Sequence, residues 1–293
     1  CAMRSSRTTS SSSTASADEN RVSAYSGWRR SCEAAARKRA LVILAATPLL
    51  AQRGRGFNPG FRVDPTIEKI PYDGRFTLVR LSFTTNSPMG YYYRGMPAWA
   101  HGYPTAELNL MRIVGEISAL HPLLDHSTVI APDDPQLFKY PVAYMAEADY
   151  WGMSDREAAA LGAYLKKGGF IIFDDFRDDF RDGYQGWATF TAQMRRVLPE
   201  GRVVDLTPSD PIFHSFFDIN SFDIVPQDYD RGRPVFRGIY EDNDPKKRLM
   251  VMINFNTDVS NYWEFSARGF KPVSESNEAY EMGVNFIVYA LTH

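Results

Sequence analysis

Apolar and polar positions follow two different periods in turn along most of the chain. Arg75–Phe83 alternates apolar with polar side chains and predicts a strand. In Thr105–Leu120 apolar residues recur every three or four positions, which predicts a helix. The short apolar runs Tyr140–Met145 and Phe170–Phe173 predict strands that are buried on both faces. This alternation predicts an α/β fold with a mostly parallel central sheet and helices on both faces.

The remaining elements follow from the same patterns. A capping box, Ser154 followed by Glu157, predicts the start of a helix that ends at Gly168-Gly169. Further strands are predicted at Ser127–Ala131, Arg202–Leu206, Val235–Tyr240 and Arg248–Asn254, and further helices at about Tyr184–Leu198 and Asn277–Leu291.

The first part of the chain has a different character. Ala40–Ala51 is a run of twelve almost entirely apolar residues behind Arg37, Lys38 and Arg39. A bilayer core of about 30 Å needs roughly 20 such residues, so the run is too short to span it. A signal peptide that ends at Ala51 is the interpretation, and a buried helix is the alternative. We therefore expect residues 1–51 to be a disordered region and signal peptide, 52–74 to be a linker, and 75–293 to be one α/β domain.

These boundaries predict an exported protein, periplasmic or membrane-associated, with no transmembrane helix in its mature part. Both cysteines, Cys1 and Cys32, precede the predicted cleavage point. The mature part would therefore have no disulfide, no thiolate metal site and no cysteine nucleophile. The net charge of −2 gives no reason to expect nucleic acid as a partner, because such proteins carry a basic excess.

Two adjacent carboxylates, Asp174 and Asp175, end the apolar run that begins at Phe170. Buried carboxylates are costly unless they are satisfied or used, and ligands of parallel sheets bind beyond the carboxyl ends of the strands. Three interpretations remain open: a cap on the next helix paired with Arg177 or Arg181, a ligand or metal site, and carboxylate catalysis.

Two other regions supply candidate residues. The loop Thr84–Pro104 is long, and its aromatic residues and Arg94 suit a stacking platform or an anion clamp, unless the loop folds back as a lid. His214 is a possible metal ligand beside the aspartates, although its surroundings also fit a packed histidine. His101, His121 and His126 carry no spacing signal. The expected ligand-binding residues are Asp174, Asp175, Arg94, His214, Tyr92 and Trp99.

Several segments in a fixed order resemble the bacterial domain of unknown function 4159. They include YPTAELNL from Tyr103, APDDPQLFKYPVAYM from Ala131, LKKGGFIIFDD from Leu165, SDPIFHSFFDI from Ser209 and EMGVNFIVYAL from Glu281. The resemblance implies a flavodoxin-like three-layer sandwich related to class I glutamine amidotransferases, and exported or membrane-associated proteins. It implies no established activity.

The amidotransferase mechanism itself is not expected. Those enzymes place a cysteine between glycines where this chain has Asp174, Asp175 and Phe176, and His293 is the only histidine near the C-terminus. The sequence thus predicts a non-catalytic domain that binds a ligand or an envelope protein, with no assigned catalytic residue and no cofactor beyond a possible divalent metal. The alternatives are a hydrolase that uses Asp174 and Asp175, with or without a metal, and a scaffold that uses the Tyr91–Trp99 loop.

Overall fold

Strands and helices alternate through the part of the chain that the computed structural model describes, residues 70–85, 92–93, 96–178, 185–223 and 232–293. These residues belong to one compact unit, Phe57–His293. The predicted signal peptide and most of the predicted linker lie outside the described residues. The strands are β1 Val79–Leu81, β2 Thr84–Thr85, β3 Tyr92–Tyr93, β4 Met96–Pro97, β5 Thr128–Ile130, β6 Val142–Ala146, β7 Trp151–Gly152, β8 Phe170–Phe176, β9 Val204–Asp205, β10 Val235–Tyr240 and β11 Leu249–Phe255. The α-helices are α1 Thr105–Ile117, α2 Asp155–Lys166, α3 Gly186–Val197, α4 Val259–Phe265 and α5 Val273–Thr292.

A seven-stranded sheet forms the centre of the domain, in the spatial order β5-β1-β6-β8-β11-β10-β9. The first five strands of this order are parallel, and β10 and β9 continue the sheet in antiparallel pairing. The prediction of an α/β fold with a mostly parallel sheet is confirmed. The long loop predicted at Thr84–Pro104 instead contains the short strands β2, β3 and β4, which pair outside the central sheet.

Two apolar cores lie on the two faces of the sheet. Along β6, Tyr144 packs into the core shared with α1, α4 and α5, whereas Met145 packs into the core shared with α2 and α3. The alternation arises because successive side chains of a strand point to opposite faces. Helices therefore cover both faces, as in a three-layer sandwich.

The capping box predicted before α2 is present. Ser154 Oγ accepts a hydrogen bond from the Glu157 amide at 3.2 Å, and Glu157 Oε2 accepts one from the Ser154 amide at 2.6 Å. The turn after this helix contains Gly168, whose φ of 108° suits glycine. Both ends of α2 thus carry a signal in the local sequence.

A β-bulge interrupts β8 near its carboxyl end. Phe173 pairs with Ile253, but the next pair along β11 joins Phe255 to Phe176, so β8 contains one extra residue. Phe173 and Phe176 consequently enter the same core although three positions separate them. The predicted end of the strand at Phe173 was wrong, because the bulge carries two aspartates inside a strand that continues to Phe176.

The order of the strands marks one crevice at the sheet edge. The chain passes from β1 through α1 to β5 on one side, and then returns to β6 on the other side of β1. In open parallel sheets, ligands bind beyond the carboxyl ends of strands at such a reversal. The segments after β1 and β6 are therefore the expected lining of a site. Among the described residues, no helix combines the length and the apolar character that crossing a membrane requires.

Candidate metal centre

Four neighbouring parallel strands bring one histidine and five carboxyl groups to the same edge of the sheet. The segment after β1 supplies the histidine, and the carboxyl groups come from the ends of β6, β8 and β11. Parallel strands end at the same edge, so these distant segments meet. The residues are His101, Glu147, Asp149, Asp174, Asp175 and Asp258.

Asp174 is fully buried and is bound on both carboxyl oxygens. Its Oδ2 accepts from the Tyr144 hydroxyl at 2.6 Å and from the Ser260 amide at 2.9 Å. Its Oδ1 accepts from the Val259 amide at 3.2 Å and from Asn254 Nδ2 at 3.1 Å. Burial raises the pKa of Asp174 to about 6, although the Tyr144 hydrogen bond works in the opposite direction. These contacts give Asp174 a structural role.

One of the three open interpretations made the aspartate pair a cap on the next helix, and a cap exists, but on a different helix. Asp174 satisfies the amides of Val259 and Ser260 in the first turn of α4, which is not the next helix in the chain. At the next helix, α3, the amide of Trp187 donates instead to Asp178 Oδ1 at 2.9 Å. That interpretation was wrong about the helix, because α4 lies beside β8 in space and not in sequence.

Asp175 meets different partners from its neighbour. Its Oδ2 lies 2.5 Å from His101 Nδ1, and Glu147 Oε1 lies 3.2 Å from the same nitrogen. Asp175 and Glu147 both have left-handed backbones, with φ of 56° and 54°. Such strained residues cluster at functional sites in proteins. The bulge in β8 therefore directs Asp175 to the histidine, away from the contacts of Asp174.

His101, Asp175 and Asp258 each offer one ligating atom, and these atoms lie within 4.8 Å of one another. Asp258 also caps α4, since its Oδ1 accepts from the Asn261 amide at 2.8 Å and from the Ser260 hydroxyl at 2.9 Å. An imidazole with carboxylates is a ligand set that suits several divalent transition metals. Three protein ligands would leave further coordination positions open.

The charges of this edge are unbalanced. Burial alone lowers the pKa of His101, but the hydrogen bonds to Asp175 and Glu147 outweigh it and raise that pKa to about 12. Burial, together with the charge of Asp175, raises the pKa of Glu147 to about 7. Burial also raises the pKa values of Asp149 and Asp258 well above the usual range. The carboxyl groups crowd together away from water, an environment in which a cation is strongly favoured.

Two buried oxygens beside the cluster have no hydrogen-bond partner among the described residues. One is Oδ1 of Asn254, whose Nδ2 contacts Asp174, and the other is Oγ1 of Thr257. The carbonyl of Thr257 accepts from the Asp175 amide at 3.1 Å, so this residue adjoins the cluster directly. Buried polar atoms almost always have a partner in folded proteins. These two oxygens beside the aspartate pair could therefore still bind a hydrogen-bond donor or a cation.

The sequence model of a family described as a domain of unknown function, DUF4159, matches residues 89–291. The chain belongs to the DUF4159 family. The resemblance found in the sequence is confirmed at this level, and the DUF4159 segment contains every residue of the cluster. No curated protein matches the chain.

Other predicted site residues of this DUF4159 domain have separate surroundings. His214 Nδ1 contacts Asp218 Oδ1 at 3.0 Å, and its Nε2 contacts the Pro208 carbonyl at 2.6 Å. Both ring nitrogens of His214 are therefore engaged by residues outside the cluster. Trp99 is 2% exposed and packs inside one core, which does not suit an open stacking platform. Tyr92 lies in β3 without a described side chain, and Arg94 lies outside the described residues, so their roles stay predictions.

Sequence reasoning missed four members of the DUF4159 cluster. His101 was set aside because no second ligand stands at a regular spacing from it, and its partner Asp175 is 74 residues away. Glu147, Asp149 and Asp258 were not considered. A usable signal existed, since Glu147 and Asp258 follow closely after predicted apolar strands. The carboxyl ends of predicted parallel strands are the positions at which to look for such residues.

Proposed function

We propose that this DUF4159 domain binds a divalent transition-metal ion at the carboxyl edge of its sheet, through His101, Asp175 and Asp258. The observation that carries the proposal is the convergence of three ligating atoms of suitable type within 4.8 Å, from the carboxyl end of β8 and from the segments that follow β1 and β11. The charge imbalance of the same edge supports it, because a cation would offset the crowded carboxylates.

The proposed ion would serve in binding. With three protein ligands it keeps coordination positions for an oxygen of a ligand or of a partner protein. This agrees with the sequence-based prediction of a binding domain. The exported location, the envelope partner and the relation to glutamine amidotransferases stay predictions.

A metal-dependent hydrolase is the second candidate. Its supporting observation is Glu147, whose carboxylate lies 3.2 Å from the proposed ligand His101 without being needed as a ligand itself. A carboxylate in that place is suited to accept a proton from a metal-bound water.

The test is calorimetric titration of the metal-free chain with Mn²⁺, Zn²⁺, Mg²⁺ and Ca²⁺. We expect one Mn²⁺ or Zn²⁺ ion to bind per chain, and His101→Ala and Asp175→Asn to weaken that binding. The matched controls are His214→Ala and Asp218→Asn, which remove the members of a histidine–aspartate pair outside the cluster. Equal binding by the unchanged chain and both cluster variants would refute the proposal.

The same samples separate the two candidates. A hydrolase should cleave at least one member of a panel of phosphate and carboxylate esters when loaded with metal. Glu147→Gln should then abolish turnover while the metal still binds. A pure binding domain should show no turnover in any variant.

A further inference from the structure

A buried ion pair lies directly beneath the segment that carries His101. The Arg80 side chain in β1 is 0% exposed and the Glu107 side chain in α1 is 2% exposed. Arg80 Nε donates to Glu107 Oε1 at 2.6 Å. Arginine and glutamate are almost never fully buried in proteins unless they are paired.

A second nitrogen of the same guanidinium connects the pair to the candidate site. Arg80 Nη1 donates to the carbonyl of Trp99 and to the carbonyl of His101, both at 2.9 Å. The guanidinium group is planar and holds several acceptors in one fixed arrangement. A residue of the central sheet therefore fixes the backbone of His101 itself.

A second contact links the arginine to the aspartate pair. The guanidinium carbon lies 4.6 Å from the ring centre of Tyr144, and the hydroxyl of that tyrosine donates to Asp174. The Arg80 guanidinium thus contacts the backbone of the segment that carries His101, and it also contacts Tyr144, which binds Asp174.

Stability alone is a poor explanation for this arrangement. Buried ion pairs often contribute less to stability than apolar side chains of the same size, because both charges lose their water. We infer that Arg80 and Glu107 are positioning residues, which hold the backbone of His101 so that its ring meets Asp175 and Asp258. This inference rests on the proposed function, since it concerns the same metal centre.

Metal coordination tolerates little displacement of its ligands, so the positioning role of Arg80 and Glu107 can be measured as metal affinity. Ligand distances in metal sites vary by only about 0.2 Å, so a small shift of the His101 backbone weakens binding. Loss of a residue that orients a metal ligand typically lowers metal affinity about 10- to 100-fold. Arg80→Lys keeps the charge but replaces the planar fork by a single point, which cannot hold Glu107 and both carbonyls together.

The experiment compares Arg80→Lys with a control of the same kind on the opposite edge of the sheet. Arg248 donates to the carbonyls of Gly169 and Leu165, so Arg248→Lys makes the same chemical change away from the cluster. We expect Arg80→Lys to lower Mn²⁺ or Zn²⁺ affinity by about 10- to 100-fold, and Arg248→Lys to leave it unchanged. Circular dichroism establishes that each variant is folded at the temperature of the titration.

A second readout works without metal. The proton between His101 Nδ1 and Asp175 should give a separate resonance in the proton spectrum, which Arg80→Lys should shift or remove and Arg248→Lys should keep. Glu107→Gln should act in the same direction as Arg80→Lys, and it decides the question if Arg80→Lys does not fold.

The outcomes separate the two proposals. Unchanged metal affinity and an unchanged resonance in the folded Arg80 or Glu107 variant would overturn the positioning role. If the unchanged chain binds no metal, the proposed function fails, and the resonance alone decides whether Arg80 positions His101.

Discussion

The amino and carboxyl edges of the central sheet handle buried polar groups differently. At the amino edge, Arg248 donates to the carbonyls of Gly169 and Leu165, and the Tyr164 hydroxyl donates to the Tyr140 carbonyl at 2.8 Å. These donors meet neutral backbone acceptors. The hydrogen bonds at this edge stabilise the fold.

At the carboxyl edge, carboxyl groups face one another around a single histidine. Asp175 and Glu147 share His101, and the backbones of both acidic residues are left-handed. Such an arrangement costs stability, because buried like charges repel and strained residues need support from their surroundings. One sheet thus separates its stabilising network from its candidate chemistry by placing them at opposite ends.

Asp174 shows that the separation is not complete, since it stabilises the fold from within the carboxyl edge. Asp174→Ala would leave the Tyr144 hydroxyl and the amides of Val259 and Ser260 without their acceptor. We expect the free energy of unfolding to fall by about 3–5 kcal/mol, measured by urea denaturation. A loss no larger than that of Asp175→Ala would contradict the structural role of Asp174.

Asp175→Asn should affect metal affinity more than stability, in contrast to Asp174→Ala. Removing this ligand should weaken metal binding about 100-fold, which corresponds to about 2.7 kcal/mol of binding free energy. The unfolding free energy of the metal-free protein should fall less than in Asp174→Ala, because the change loses the ionic hydrogen bond to His101 but also removes a negative charge from beside Glu147 and Asp258. Calorimetry and denaturation of the same sample measure the two quantities, and Asp218→Asn is the control.

Arg248→Lys tests the amino edge. Lysine cannot reproduce the forked contact with the carbonyls of Gly169 and Leu165, so we expect a loss of about 1–2 kcal/mol in unfolding free energy. Metal affinity should stay the same. A variant that lost metal affinity along with stability would show that the two edges are coupled.

The smallest effect is expected at the exposed cap of α2. Ser154→Ala removes one acceptor from the Glu157 amide, and we expect a loss of about 0.5–1 kcal/mol in the free energy of unfolding. Thermal unfolding of this variant beside Asp174→Ala compares an exposed cap with a buried one. Similar losses would mean that burial adds nothing to the role of Asp174.

Much of the fold could be predicted because its signals are local. The apolar periods located the strands of the central sheet, and the capping box located α2. Helix α4 was missed because it has only seven residues, and because all of its first five are buried, the polar residues Ser260 and Asn261 among them. The bulge was missed because two adjacent aspartates look like the end of a strand.

The candidate site could be located but not assembled from the sequence. The aspartate pair was expected at the edge of the sheet, and it lies there. The two aspartates have different partners. Asp174 accepts a hydrogen bond from Ser260, 86 residues away, and Asp175 contacts His101, 74 residues away. No local pattern encodes which of two neighbouring carboxylates meets which of these partners.

The bulge in β8 also bears on how the site relates to the sheet that supports it. Because Phe173 and Phe176 pair with Ile253 and Phe255, deletion of Asp175 alone would restore a continuous ladder and leave both phenylalanines in their core. Asp175 is in this sense an insertion that the scaffold does not require. A protein shortened by this one residue would be a matched scaffold without the site, on which other residues could be grafted at the same edge.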